Sequence, residues 1–276
     1  MVFSKWSENQ GSHTLKPMKY KHIVLEINDR IAWLTFNRPA QLNAMNAQMM
    51  GEIIRALGEI NVTDTREVRV AVITGAGKAF MAGADIKEYA QQTQAEFEDF
   101  QTQGRNLYAA IEGNTKPVIA AVNGYALGGG LEIALACDIM VAAEGAKMGM
   151  PEINLNLIPG GGGTQRLAKK IGTNIANEMI MTGCMVTAEE MQQKGLINHL
   201  YPTDGFLEKV TEFASRFTDK EADRLQAIKQ LTQLSVGTVA TAAVSLENAA
   251  LGRFYQSKEG QQKVQEFYQK SQEKGR

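Results

Sequence analysis

The chain has 276 residues, 44 % of them hydrophobic and 21 % charged, with a formal net charge of −1. Such proportions describe an ordinary soluble globular protein and exclude a disordered or fibrous one. The near-zero charge leaves no field to draw in nucleic acid or an anionic membrane. The longest apolar run, Lys116 to Ala126 (KPVIAAVNGYA), falls well short of the ~20 residues a membrane helix needs.

Residues 1–19 are polar and mildly basic, lack the apolar centre of a signal peptide, and are expected to form a flexible leader. A cytoplasmic location is the matching expectation. His22 to Asn28 (HIVLEIN) and Arg30 to Asn37 (RIAWLTFN) are β-type runs, with Asn28-Asp29 as the turn pair of a hairpin. Asn46 to Ile60 carries Met49, Ile53, Ile54 and Leu57 at the spacing of a helix with one buried face. Val68 to Thr74 reads as a strand and Gln94 to Glu112 as a helix. Pro117 to Asn123 is almost uniformly apolar, as a strand buried on both faces must be. This order implies an α/β core with parallel pairing.

From about residue 160 the helical pattern dominates. Thr187 with Glu190 three residues later forms a capping box for a helix ending near Gly195, and Ile197 to Tyr201 reads as a short last strand. Helices are expected over 205–217, 219–235 and 237–256, with another near 259–272. Val239, Ala243, Leu246, Ala250 and Phe254 repeat as an apolar stripe. Such an annex is too thin for its own core and must pack on the main body or on another subunit. The expected division is thus a core over 20–204 and a helical region over 205–276.

The chemistry-bearing residues are few. Cys137 and Cys184 stand outside any CxxC or His-rich setting and read as small buried hydrophobes. No GxSxG elbow is present, and His13, His22 and His199 show no metal-ligand spacing, which argues against a serine hydrolase or zinc enzyme. Thr74-Gly75-Ala76-Gly77-Lys78 fails both as a phosphate loop and as a dinucleotide fingerprint. Two further glycine stretches, 82–87 (AGADIK) and 123–132 (NGYALGGGLE), sit where a strand ends and a helix begins. Helix N-termini present unpaired N–H groups, and two of them aimed at one point make an oxyanion hole. A glycine cluster alone is more often a tight turn. Glu132 and Glu152 each follow glycine- or proline-bearing apolar segments. From composition they read equally as acid–base groups with raised pKa or as helix N-terminal acids.

Asn37-Arg38-Pro39 with Leu42-Asn43-Ala44, then AGADIKE (82–88), NGYALGGGLE (123–132), CDIMVA (137–142) and PEINLNLIPGGGGTQRL (151–167) occur in order. This series resembles the crotonase superfamily, most closely the enoyl-CoA hydratases, over roughly residues 20 to 272. The resemblance implies a crotonase-like spiral of ββα turns with a C-terminal helical oligomerisation region that makes homotrimers or homohexamers. It implies hydration of 2-enoyl-CoA thioesters, with Glu132 activating water, Glu152 delivering the proton, and the Ala84 and Gly129 N–H groups forming the oxyanion hole. Coenzyme A, part of the substrate and not a separate cofactor, would meet Ala40, Leu42, Ala82, Ala84, Asp85, Ile86, Lys87 and Lys270. Where the family often has lysine after Asn-Arg-Pro, Ala40 stands here, and the tail pattern also differs, which bears on the CoA contacts. The rival activity is a shift of the double bond between positions 3 and 2, which often keeps a single glutamate. An RNA-binding or inactive homologue would be expected to carry a basic stripe or to have lost Glu132 or Glu152. No nucleic acid, membrane or metal is expected as a partner.

Overall fold

The hairpin at the start is built from β1 (Ile23–Asn28) and β2 (Ile31–Phe36), paired antiparallel with Asn28 opposite Ile31. Its two turn residues are Asp29 and Arg30, both in the left-handed region at φ 50° and 66°. The turn therefore lies one residue later than the Asn28-Asp29 pair suggested, because the mirror-image turn that suits a twisted hairpin needs positive φ at both central residues. A 3₁₀ turn (Pro39–Gln41) leads to α1 (Ala47–Val62), whose N-cap Asn46 accepts the Met49 N–H at 2.9 Å. The computed structural model describes residues 20–234 and, beyond them, Ala249, Arg253, Ser257, Lys258 and Gln262. The expected leader, the stripe from Val239 to Phe254 and Lys270 lie outside the described residues.

Three similar turns follow. β3 (Val70–Gly75) and β4 (Ala79–Met81) precede α2 (Ile86–Tyr89) and α3 (Gln94–Glu112). β5 (Val118–Val122) and β6 (Tyr125–Leu127) precede α4 (Gly129–Ala136), and β7 (Ile139–Ala143) and β8 (Lys147–Gly149) precede a 3₁₀ turn at Pro151–Leu155. The chain continues through α5 (Gly163–Ile171), α6 (Thr173–Thr182), β9 (Met185–Thr187), α7 (Ala188–Gln193) and β10 (His199–Tyr201). Each turn adds one strand to a six-stranded sheet ordered β1-β2-β3-β5-β7-β10 and one to a four-stranded sheet ordered β4-β6-β8-β9. This is the ββα spiral expected from the resemblance.

β5 shows why the larger sheet needs cover on both faces. Val118, Ala120 and Val122 enter one apolar cluster, while Ile119 and Ala121 enter another with Phe206, Val210, Phe213 and Ala214. Those four belong to α8 (Phe206–Thr218), so the first helix of the C-terminal region covers the sheet itself. α9 (Ala222–Leu234) is held by Lys229, whose Nζ lies 2.9 Å from an Asp138 carboxylate oxygen and donates to the Ile111 and Lys116 carbonyls. The Thr187–Glu190 capping box is present as read, and a second one, Thr93–Glu96, starts α3.

Candidate active site

The smaller sheet sets the site. β4, β6 and β8 are parallel neighbours, with Met81 opposite Ala126 and Ala126 opposite Met148. Parallel neighbours end at the same edge, so the segments leaving them emerge side by side. Ala84 and Gly129 each stand three residues beyond the paired Met81 and Ala126. Neither the Ala84 nor the Gly129 N–H has an acceptor among the described residues. Gly129 is the first residue of α4, where the geometry of the helix leaves its N–H free.

The strand ends are stitched to the Asn-Arg-Pro segment. Met45 donates to the Gly83 carbonyl and accepts from Asp85, both at 2.8 Å, and Ala82 donates to the Leu42 carbonyl at 3.1 Å. Asn43, fully buried, donates through Nδ2 to the Ala76 and Ala79 carbonyls, at 3.0 and 2.7 Å. Arg38 pairs with Asp85 at 2.8 Å, and this bond chiefly holds the Asp85 carboxyl below the usual carboxylate range. Asp85 also caps α2, so its side chain is already engaged. Ala40, Leu42, Ile86 and Lys87 are exposed beside it, and Ala82 and Ala84 are partly buried. Of the expected CoA-binding residues, Lys270 alone lies outside the described residues.

Two carboxyls approach the first turn of α4. Glu132, on α4 itself, is 3 % exposed. Its Oε1 accepts the Gly161 and Gly163 N–H groups, each at 2.8 Å, and its Oε2 accepts the Tyr108 hydroxyl at 3.1 Å. Glu152 comes from the 3₁₀ turn after β8, begun by Pro151 and ended by Asn156 at φ 56°. Its Oε2 is buried with no hydrogen-bond partner among the described residues. Burial first, with the Glu132 charge adding, pushes the Glu152 carboxyl up to about 7.

Gly128 and Gly129 separate the two acids. A Cβ on Gly128 would lie 2.8 Å from Glu152 Oε1, and one on Gly129 would lie 4.0 Å from Glu132 Oε2. Gly128 is at φ +50°, a conformation open to glycine, and its N–H is tied to the Gly149 carbonyl at 2.9 Å. Two free backbone donors and two unlike carboxyls thus meet at one helix N-terminus, an arrangement able to stabilise an oxyanion while moving a proton.

Tyr108, Gly161, Gly163 and Arg166 carried no assigned role from sequence. Tyr108 lies on the buried side of α3 with Leu107 and Ile111, where spacing marks it only as core. In the run Gly160 to Gly163 no offset tells which N–H turns inward. Arg166 stands 5.4 Å over the Tyr108 ring, donates to the Gly161 carbonyl at 2.6 Å and pairs with Glu112 at 2.7 Å. The segment from Tyr89 to Phe100 joins α2 to α3, and its Phe100 is buried in the core. Gln91, Gln92 and Glu96 of this segment line a cleft of about 440 Å³ with Ala47 and Gln103.

Known proteins resemble this chain over most of its length. The family described as enoyl-CoA hydratase/isomerase matches residues 26–274. A 2,3-dehydroadipyl-CoA hydratase of Escherichia coli is 38 % identical, over 90 % of this chain and 96 % of its own. A crotonyl-CoA hydratase of Syntrophomonas wolfei is 36 % identical, over 92 % and 97 %. A crystal structure of an enoyl-CoA hydratase from Bacillus anthracis superposes with a TM-score of 0.86 at 33 % identity, covering 91 % of this chain and 97 % of that one.

Proposed function

The chain belongs to the enoyl-CoA hydratase/isomerase family, and from that membership we propose that it adds water reversibly across the 2,3 double bond of 2-enoyl-CoA thioesters. The observation that carries this reading is the pair of carboxyls in opposite settings beside two free N–H donors. When a nucleophile attacks C3, charge moves onto the thioester oxygen. The Ala84 and Gly129 N–H groups receive it, and one such donor is worth roughly 3 kcal/mol.

Glu132, fixed by three donors, orients water and takes its proton. Glu152, poised near neutrality with one oxygen unengaged, gives a proton to C2. Both acids sit against adjacent residues of one helix turn, which supports delivery to the same side of the double bond. The exposed Ala40, Leu42, Ile86 and Lys87 support a CoA path along the stitched surface. Lys87 would face its phosphates there, with Lys270 in the same role.

A double-bond shift needs one mobile proton, and Glu152 alone could carry it. The three donors spent on Glu132 would then serve no step, so hydration is the better account. Assembly as a trimer or hexamer belongs to the same proposal, supported by exposed Leu155, Met181 and Met185 around the packed 3₁₀ turn and α6. No helix among the described residues is long and apolar enough to cross a membrane, and a cytoplasmic location remains part of the proposal.

The test is a survey of 2-enoyl-CoA thioesters by loss of the conjugated double-bond absorbance. Hydration of at least one chain length is expected. Conversion of 3-enoyl-CoA to the conjugated isomer without hydration would replace this reading by the isomerase one.

A further inference from the structure

Resting on the hydratase reading, we propose that Tyr108 is a positioning residue whose phenol, filling the space that Gly161 leaves open, holds the Glu132 carboxylate in the plane from which it activates water. Tyr108 is 4 % exposed, and its hydroxyl donates to Glu132 Oε2 at 3.1 Å. The two N–H bonds from the glycine loop both reach Oε1. A carboxylate held through one oxygen can still turn about its Cγ–Cδ bond. A donor on the second oxygen removes that freedom, and among the described residues Tyr108 supplies it.

The glycine beneath the ring is part of the same device. A Cβ on Gly161 would lie 2.2 Å from Tyr108 Cε2 and 2.4 Å from Glu132 Oε2, closer than real contacts allow. The ring and a side chain at 161 therefore exclude one another. Arg166 holds the two parts together, stacked on the ring while bonded to the Gly161 carbonyl and to both Glu112 oxygens. Around the phenol the charged neighbours are Glu132, Glu152 and Arg166, and burial keeps the hydroxyl protonated as a donor. The hydroxyl also stands 3.6 Å from where a Gly129 Cβ would be, at the proposed oxyanion hole.

Tyr108→Phe keeps the ring and removes only the donor. It is expected to lower kcat about ten- to hundredfold, the range of one hydrogen bond to a charged group. KM should stay within about twofold. The acid limb of the pH profile should move to higher pH, since a carboxylate that loses a donor is easier to protonate. A purely structural tyrosine would lower the melting temperature without moving that limb. The packing half of the proposal is read by a thermal double-mutant cycle. Gly161→Ala should destabilise the Tyr108→Ala protein less than the parent, because the ring contacts are gone while the 2.4 Å approach to Glu132 Oε2 remains. A Tyr108→Phe enzyme with kcat within about twofold of the parent and an unmoved pH profile overturns the proposal. So does equal destabilisation by Gly161→Ala in both backgrounds. Failure of the parent to hydrate any 2-enoyl-CoA would overturn the hydratase reading instead, and shows before any substitution is made.

Discussion

Around Glu132 the polar atoms are matched: two loop N–H groups on one oxygen, a phenol on the other, and a side chain almost wholly out of water. Around Glu152 they are not. One oxygen is buried without a partner, the other lies against the bare backbone of Gly128, and the acid titrates near neutrality because of burial. The same side chain is thus built once as a fixed acceptor and once as a poised donor. The difference comes from neighbouring backbone and not from the acids themselves. It teaches that two chemically identical residues divide acid and base work when their surroundings push them apart.

The comparison breaks most sharply when each acid becomes its amide. Glu132→Gln and Glu152→Gln should each lower kcat by about 10²- to 10⁴-fold while CoA-ester binding, read by titration with a saturated acyl-CoA, stays nearly intact. Their stabilities should part. At Glu132 the new NH₂ group must either oppose the two loop N–H groups or force the Tyr108 hydroxyl to turn and accept, so the melting temperature should fall. At Glu152 no bond is lost, so it should hold or rise. Rates within tenfold of the parent for both variants would remove the assignment of roles.

A second pair of substitutions crowds one acid at a time. Gly128→Ala forces a Cβ toward Glu152 Oε1 from a residue at φ +50°, and Gly163→Ala places one 3.0 Å from Glu132 Oε1 and 2.8 Å from Met150 Cε. Each should cost about tenfold or more in kcat, as misplacing a catalytic group does. Gly128→Ala should disturb the basic limb of the pH profile, where the proton donor is lost, and Gly163→Ala the acid limb. Identical profiles for the two variants would mean that the acids are not separately controlled.

The sequence went far toward this comparison and then stopped for identifiable reasons. The strands β3 and β5 and the helices α1 and α3 were legible because periodicity and uniform apolarity reflect which faces are buried. The capping box at Thr187 was legible because it is local. The second sheet was not, since β4, β6, β8 and β9 are each only three residues long and carry no periodic pattern. Glu132 and Glu152 emerged from the family resemblance, composition leaving them balanced between catalysis and capping. What separates them is set by contacts such as Gly161 to Glu132 and Tyr108 to Glu132, far apart in the chain. Lys229 meeting Asp138 is a similar case, a buried ion pair that only the folded chain brings together.

Stability against pH offers a third way to sharpen the contrast. The Glu152 carboxyl rises from 4.5 to about 7 on folding, so between those values the folded chain holds a proton that the unfolded chain has released. Its contribution is therefore fully present below about pH 4.5 and is lost as pH rises through 7. The size is up to about 3 kcal/mol before solvent screening and about 1–2 kcal/mol after it. Denaturant melts of the parent from pH 5 to 8 should show this decline, and Glu152→Gln should flatten it. An unchanged slope in that variant would show that another group is responsible.

The smallest expected effect tests whether the Glu132 region can be loosened from outside without touching Glu152. Arg166 is gripped by Glu112 through two bonds, at 2.7 and 2.9 Å, and itself grips the Gly161 carbonyl. The Glu112 side chain is 42 % exposed, so the pair is partly screened and worth at most about 1 kcal/mol. Glu112→Gln keeps one acceptor for the guanidinium and removes the charge, which should let the glycine loop relax slightly around Glu132. A drop in kcat of less than about fivefold follows from that energy. It should deepen at low salt, where the parent pair is strongest, and come with a small move of the acid limb. The basic limb, which reports the proton on Glu152, should stay where it is, because no contact links Glu112 or Arg166 to that carboxyl among the described residues. A variant in which both limbs move together would show that the two regions form one coupled unit instead of two separately built ones.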